Sequence, residues 1–277
     1  MGAYLTASPL VKTAQKALLF CVHPIGGGVS CYRSLAQFLS PELSLYGFQA
    51  YGLEDGTYPI DDIPSIARLY IDELLEIAPD VPIHIAGWSL GGLIAFEMAR
   101  QLQAEGFAVG LLALFDSYAP VPNAYPYASD DDEGLLRALI GDIATLEGNY
   151  EVSKLLNTLD LSAIPLTQRK SFIFDQIIQS KILGKEADYE QLQRRFDVIA
   201  AHQKAASRYI PKISDLELVL FRAEDQSRVP KCSNALGWDQ LPVGNVEIED
   251  IPGNHRSMLV QKQSIKQLSI LIKNRLY

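Results

Sequence analysis

The sequence predicts an α/β fold, a mostly parallel sheet with helices on both faces and an inserted helical lid. Three observations predict it. Short apolar runs of strand length alternate with segments of helical periodicity, the order that builds parallel sheets covered on both sides. A glycine-rich turn, Gly87-Trp88-Ser89-Leu90-Gly91-Gly92, joins one such strand directly to one such helix. A stretch at about 120–212 carries helical patterns without strand patterns, as an insertion between two strands would.

Residues 1–15 are weakly patterned and read as a linker or arm; residues 16–277 read as the domain itself. The runs 17–22 and 45–51 read as strands. Residues 63–77 have helical spacing, with Ile66, Leu69, Tyr70, Leu74 and Ile77 on one stripe. The apolar run 81–86 is a strand leading into the serine turn, and the helix after it extends to about Gly106. A further strand follows at 109–115. Within the insertion, Asp130, Asp131, Asp132 and Glu133 can cap a helix through Leu135, Leu136, Leu139, Ile140 and Ile143. Later helical segments carry Ile173, Ile177, Ile178 and Ile182, then Leu192, Phe196 and Ile199. Strands at 216–221 and 246–251 and a helix at 257–273 close the chain. The insertion would leave from the carboxyl end of the strands, where ligands bind in open α/β sheets, so it reads as a lid.

Composition narrows the function classes. With 277 residues, 48% hydrophobic and 21% charged, the chain is long enough for one large core and ordinary for a globular protein. Its longest apolar runs are strand-sized, which argues against a membrane span. No charged start followed by a long apolar core marks a secretory leader. Gly2 with Thr6 fits a myristoylation pattern too short and common to carry weight. A net charge of −9 argues against a nucleic-acid partner and requires any acidic partner to find a local basic patch. Cys21, Cys31 and Cys232 are odd in number and lack C-x-x-C spacing, so they read as reduced packing residues of a cytoplasmic protein without disulfide or zinc site.

The chemistry is concentrated at the serine turn. G-x-S-x-G between a strand and a helix is a nucleophile elbow, whose sharpness strains the serine backbone and lifts the hydroxyl to the tip of the sheet. Gly87 and Gly91 leave space where any Cβ would clash. The N–H of Leu90, at the start of the following helix, faces any oxyanion formed there. A chance match on a glycine-rich turn is the bland alternative, and the strand and helix flanks weigh against it.

Serine needs a histidine to take its proton and an acid to hold that histidine. Of four histidines, His84 lies inside an apolar strand, His202 in a predicted lid helix and His23 at a strand end. His255 occupies the loop Pro252-Gly253-Asn254-His255 after the last strand, where the base is expected. Two acids give the chain order Ser, Asp, His. Asp116 stands alone after the apolar run 111–115 and is favoured; Asp225, in a polar turn, is the alternative. The loop His23-Pro24-Ile25-Gly26-Gly27-Gly28 follows the first strong strand and can supply a second oxyanion N–H. Pro24 has none, so Ile25 is the first plausible donor, with Gly26 behind it. A phosphate loop is the competing reading, and it lacks a following Gly-Lys-Ser/Thr.

Taken together, the chain resembles the thioesterase domain that ends a nonribosomal peptide synthetase or a hybrid peptide–polyketide synthase, of the α/β-hydrolase fold. The resemblance covers nearly the whole chain. It rests on His23-Pro24-Ile25-Gly26-Gly27, the Gly87–Gly92 elbow, Phe115-Asp116-Ser117-Tyr118, Phe221-Arg222-Ala223, Gly237-Trp238 and Gly253-Asn254-His255-Arg256-Ser257-Met258-Leu259. It implies Asp116 as the acid, Ile25 and Leu90 as the oxyanion donors, and release of a chain from a carrier protein's phosphopantetheine arm by hydrolysis or macrocyclisation. It implies no cofactor or metal of the protein's own. Separate proofreading thioesterases resemble it less, since they tend to carry His at the position of Trp88, have shorter lids and place the acid one strand later. A small-ester esterase shares the triad, and a binding protein that has lost catalysis has no need of the full set. For an acidic carrier, Lys181, Lys185, Arg194, Arg195, Lys204, Arg208 and Lys212 are either docking charges or simply solvated helix faces.

Overall fold

The computed structural model describes residues 6–12, 17–78, 82–121, 132–146, 164–181, 183, 188–227 and 233–276. Its strands are β1 (Ala7–Val11), β2 (Leu18–Val22), β3 (Ser44–Phe48), β4 (Ile83–Trp88), β5 (Val109–Phe115), β6 (Leu218–Asp225) and β7 (Val246–Asn254). They form one sheet in the order β1-β3-β2-β4-β5-β6-β7. Every neighbouring pair is parallel except β1 with β3. The chain winds from β2 to β3 on one side and then returns to β4 on the other. The carboxyl ends of β2 and β4 are therefore a topological switch point, where the two following loops part and leave a crevice.

Side-chain alternation along the strands assigns the two faces. Phe20, Val22, Ile85, Leu112, Leu114 and Leu220 pack with α2 (Ile63–Ile77) and α3 (Leu90–Ala104). Leu19, Cys21, Ala86, Ala113, Phe115 and Phe221 pack with α1 (Arg33–Leu39) and α7 (Lys262–Leu276). The stripe on α2 forms as its spacing predicts, and the helix starts where the Asp62 carboxylate accepts from the Ser65 N–H at 3.0 Å. The expected helix at 257–273 divides into a 3₁₀ turn at Ser257–Leu259 and α7 proper. Helix α1 has no counterpart in the sequence reading.

Between β5 and β6 the described residues form α4 (Asp132–Leu146), α5 (Leu166–Ser180) and α6 (Tyr189–Arg208), and no strand. They share a separate apolar cluster built on Leu136, Leu139, Ile143, Ile173, Phe174 and Ile199. Ile182, Asp130 and Asp131 of the predicted pattern lie outside the described residues, as do Cys232 and Gly2. Cys21 and Cys31 are buried free thiols, and burial pushes both thiols up.

Residues 7–11 correct the expected linker. They form the antiparallel edge strand β1, with a register irregularity between Pro9 and Val11. Its entry is fastened by Glu73 of α2, whose carboxylate accepts from Thr6 N at 3.0 Å, Thr6 Oγ1 at 2.8 Å and Ala7 N at 2.7 Å. Thr6 is fully buried, so without this acceptor two backbone donors lose their partner. Replacing Glu73→Ala should cost about 2–3 kcal/mol and speed amide hydrogen exchange across 6–11 well above that of β2. Unchanged exchange there would show that the strand is held by its ladder with β3 alone.

Candidate active site

Ser89 joins β4 to α3 with φ 58° and ψ −124°, a left-handed backbone that a non-glycine residue adopts only under constraint. The constraint is close backbone approach. A Cβ on Gly87 would lie 2.1 Å from the Gly91 carbonyl oxygen, and one on Gly91 would lie 2.4 Å from that of Val22. The Ser89 N–H donates to the Phe115 carbonyl at 3.1 Å, and its carbonyl accepts from Gly92 N at 3.1 Å. Leu90 is the first residue of α3, where N–H groups have no acceptor within the helix. Serine and Leu90 N–H therefore share the positive end of one helix.

Asp116 follows β5 directly, fully buried, with φ 42°. Its Oδ2 accepts from His255 Nδ1 at 2.7 Å; its Oδ1 accepts from Ala223 N at 2.8 Å and Gln226 Nε2 at 2.9 Å. Three donors on one carboxylate fix its plane and hence the plane of the imidazole. His255 rides on a turn in which Asn254 Oδ1 accepts from Arg256 N and Ser257 N, and Ser257 Oγ accepts from Asn254 N. The Trp88 indole donates to the His255 carbonyl at 3.0 Å and lies 5.2 Å from its ring. Trp88 precedes Ser89, so this bond places the histidine loop beside the elbow. Tyr32 bridges the ends of the paired strands β2 and β4, donating to Val22 O at 2.6 Å and accepting from Trp88 N at 2.9 Å. Asp225 is exposed at the end of β6, and its Oδ1 accepts from Ser227 N. The structure thus brings His255 to Asp116, while Asp225 serves its own turn.

The loop after β2 turns at Pro24–Gly27, closed by Gly27 N to Pro24 O at 2.9 Å. Two buried histidines bracket it. His23 Nδ1 meets the Pro24 carbonyl at 2.7 Å, and His202 Nδ1 of α6 meets the Ile25 carbonyl at 2.7 Å. The rings stack, 4.8 Å apart and 10° from parallel. Carbonyl oxygens only accept, so both Nδ1 atoms carry the proton. Tyr70 then donates its one hydroxyl proton to His23 Nε2 at 2.7 Å in preference to Gln49 O at 3.3 Å. Burial and then His202 hold His23 well below the usual histidine range; burial, partly offset by the Ile25 carbonyl, pushes His202 down to about 4. Both rings are neutral at pH 7.

The insertion also reaches the loop through α4. A Cβ on Gly26 would lie 2.0 Å from the Asp142 carboxyl, and Arg256, next to His255, lies against Gly141. Burial raises Asp142 to about 6, against the pull of Arg195 and Arg256; Arg195 Nη1 lies 3.4 Å from its Oδ2. Arg194 is within 3.9 Å of both Asp55 and Glu190, and Lys204 pairs with Asp61. Of the predicted basic set, Lys181, Lys204, Arg208 and Lys212 are exposed, Arg194 and Arg195 are half-buried, and Lys185 lies outside the described residues.

A thioesterase-domain family model matches residues 17–273, and the chain belongs to that family, hydrolases acting on thioesters with the α/β-hydrolase fold. It is 37% identical over 134 residues to a dimodular nonribosomal peptide synthase of Bacillus subtilis (strain 168), a match covering 47% of this chain and 6% of the synthase. The solved four-domain nonribosomal peptide synthetase AB3403 superposes with a TM-score of 0.84 at 28% identity, over 98% of this chain and 20% of that one. The type II thioesterase BorB, of the borrelidin biosynthetic cluster, shares the fold with a TM-score of 0.67 at 17% identity over the whole of both chains. The chain thus spans a small fraction of the synthases it matches.

Sequence reasoning passed over His23, His202, Tyr32 and Gln226. Trp88 carried a signal by its place inside the elbow motif, and His23 by its place at the head of the glycine-rich loop. The histidine pair has a measurable signature. His202 keeps its proton off down to about 4 in the fold and to 6.5 when unfolded. Below pH 6.5 the unfolded chain therefore binds the extra proton, and stability falls as the pH drops toward 4. At pH 5 the loss is about 2 kcal/mol. Urea titrations at pH 7 and pH 5 should show this loss shrinking in His202→Asn, with the opposing Asp142 contribution common to both proteins. Equal losses in the two would refute it.

Proposed function

We propose that this chain is a terminal thioesterase, releasing a peptidyl or polyketide–peptide chain from a carrier protein's phosphopantetheine thioester through an acyl-Ser89 intermediate. The observation that carries the reading is the Asp116–His255 hydrogen bond, tied to the elbow by Trp88, the residue before Ser89. With Nδ1–H given to the carboxylate, Nε2 of the neutral imidazole is left as the base. It takes the Ser89 Oγ proton as Oγ attacks the thioester carbon. The N–H groups of Ile25 and Leu90 receive the oxyanion. The C–S bond breaks and the thiolate recovers the proton from His255; thiols are far more acidic than alcohols, so the leaving group needs little help. Water, or an amine or hydroxyl of the same acyl chain, then attacks the ester, passes its proton to His255, and Ser89 leaves reprotonated. Water yields an acid, and an internal nucleophile yields a ring. An insertion that excluded water at this step would favour the second outcome. The synthase relatives support delivery by a carrier domain, since they are multidomain assemblies.

Intact-mass measurement after mixing with a long acyl or peptidyl pantetheine thioester should show an acyl adduct or turnover that Ser89→Ala abolishes. Asp116→Asn should lower kcat by about 10³–10⁴-fold, while Asp225→Asn stays within about threefold. Cleavage of oxygen esters with no action on the thioester would replace this reading by an esterase. Preferential clearing of acetyl groups would replace it by a proofreading enzyme.

A further inference from the structure

The loop that carries Ile25 is held by two side chains that take no part in the steps above. A trans peptide keeps its C=O and the following N–H in one plane, pointing in opposite directions. The Pro24 oxygen is pinned by His23 Nδ1 and Gly27 N, so the direction of the Ile25 N–H is set. The next peptide is pinned through the Ile25 oxygen by His202. Ile25 is thus clamped between two fixed planes. Bonds to the Pro24 oxygen also polarise that peptide and make its N–H a stronger donor. The two imidazoles hold each other in register by stacking, and Tyr70 of α2 orients the inner one. His23 directly follows β2, but His202 lies 177 positions from Ile25, on α6 of the insertion.

We propose that the stacked His23–His202 pair positions the Ile25 N–H as an oxyanion donor, His202 acting from the insertion, so that this donor is correctly aimed while α6 is seated on the loop. The proposal rests on the acyl-serine reading above. His202 is a positioning residue: it touches the loop and its partner ring.

Two substitutions separate aiming from packing. Asn places an N–H donor where His has Nδ1; Phe keeps the ring and the stacking but has no donor. The variants are compared by steady-state kinetics on an acyl pantetheine thioester, by inhibition with an alkylboronic acid that forms a tetrahedral adduct on Ser89, and by melting temperature. His202→Phe should lower kcat by about 10- to 100-fold, less than the loss of a whole oxyanion donor, with KM nearly constant. Boronate affinity should fall by a similar factor, and His202→Asn should recover most of both. If Phe is not accommodated, His202→Leu makes the same comparison. A loss carried by KM, a loss that follows melting temperature with boronate affinity intact, or an Asn variant no better than Phe would overturn the proposal. A wild-type protein that neither turns over thioester nor binds boronate would instead overturn the acyl-serine reading beneath it.

Discussion

The close approach of backbone to backbone at Gly87 and Gly91 is the constraint from which the rest of the site follows. Without side chains there, β4 and α3 meet with the carbonyl oxygens of Gly91 and Val22 where Cβ atoms would otherwise be. Ser89 is left in a conformation it would not choose, at an expense of about 1–3 kcal/mol, sustained by the ladder of β4 and the packing of α3. Because the turn lies beside the switch point, the elbow is flanked by the loop after β2 on one side and the end of β5 on the other. Asp116, Ile25 and Leu90 each take their place from a strand end or helix start.

Burial then divides the ionisable groups by task. Asp116 is fully buried but has a donor for each direction its carboxylate faces, so its desolvation is compensated. His23 and His202 are buried against carbonyl oxygens that require only one proton from each ring, and the second proton is excluded by desolvation. His255, with a side chain 34% exposed, is the histidine of the site left in reach of solvent and of a substrate. Environment alone thus separates two enclosed, neutral histidines from one within reach of solvent.

Much of this was legible in the sequence because the signals are local. Helix α2 and strand β5 carry their period over enough residues to stand out, and the elbow motif declares itself between its flanks. Asp116 could be favoured because a lone acid after five apolar residues is destined for the edge of a buried strand. The edge strand β1 was not legible: it is half exposed, contains Pro9 and lacks alternation, and its ladder and the Glu73 anchor are long-range. Helix α1, seven residues long, is too short for its period to register. The pairing of the two histidines was invisible for a related reason. Their partners are backbone carbonyls, which every residue type supplies, so no residue pattern marks them.

The two proposed oxyanion donors differ in how their positions are secured. Leu90 N–H is fixed by the elbow itself: moving it means breaking the turn that creates the nucleophile. Ile25 N–H belongs to a loop whose planes are set by hydrogen bonds, one from His23 just after β2 and one from His202 on α6. Under the proposed function the insertion has to exclude water yet admit a carrier-borne arm, a task for contacts more easily broken and remade than a strand pairing. A neutral imidazole on a carbonyl suits that need. It gives direction at about 1 kcal/mol net, enough to aim a donor, and small enough that the helix is not locked down by that bond.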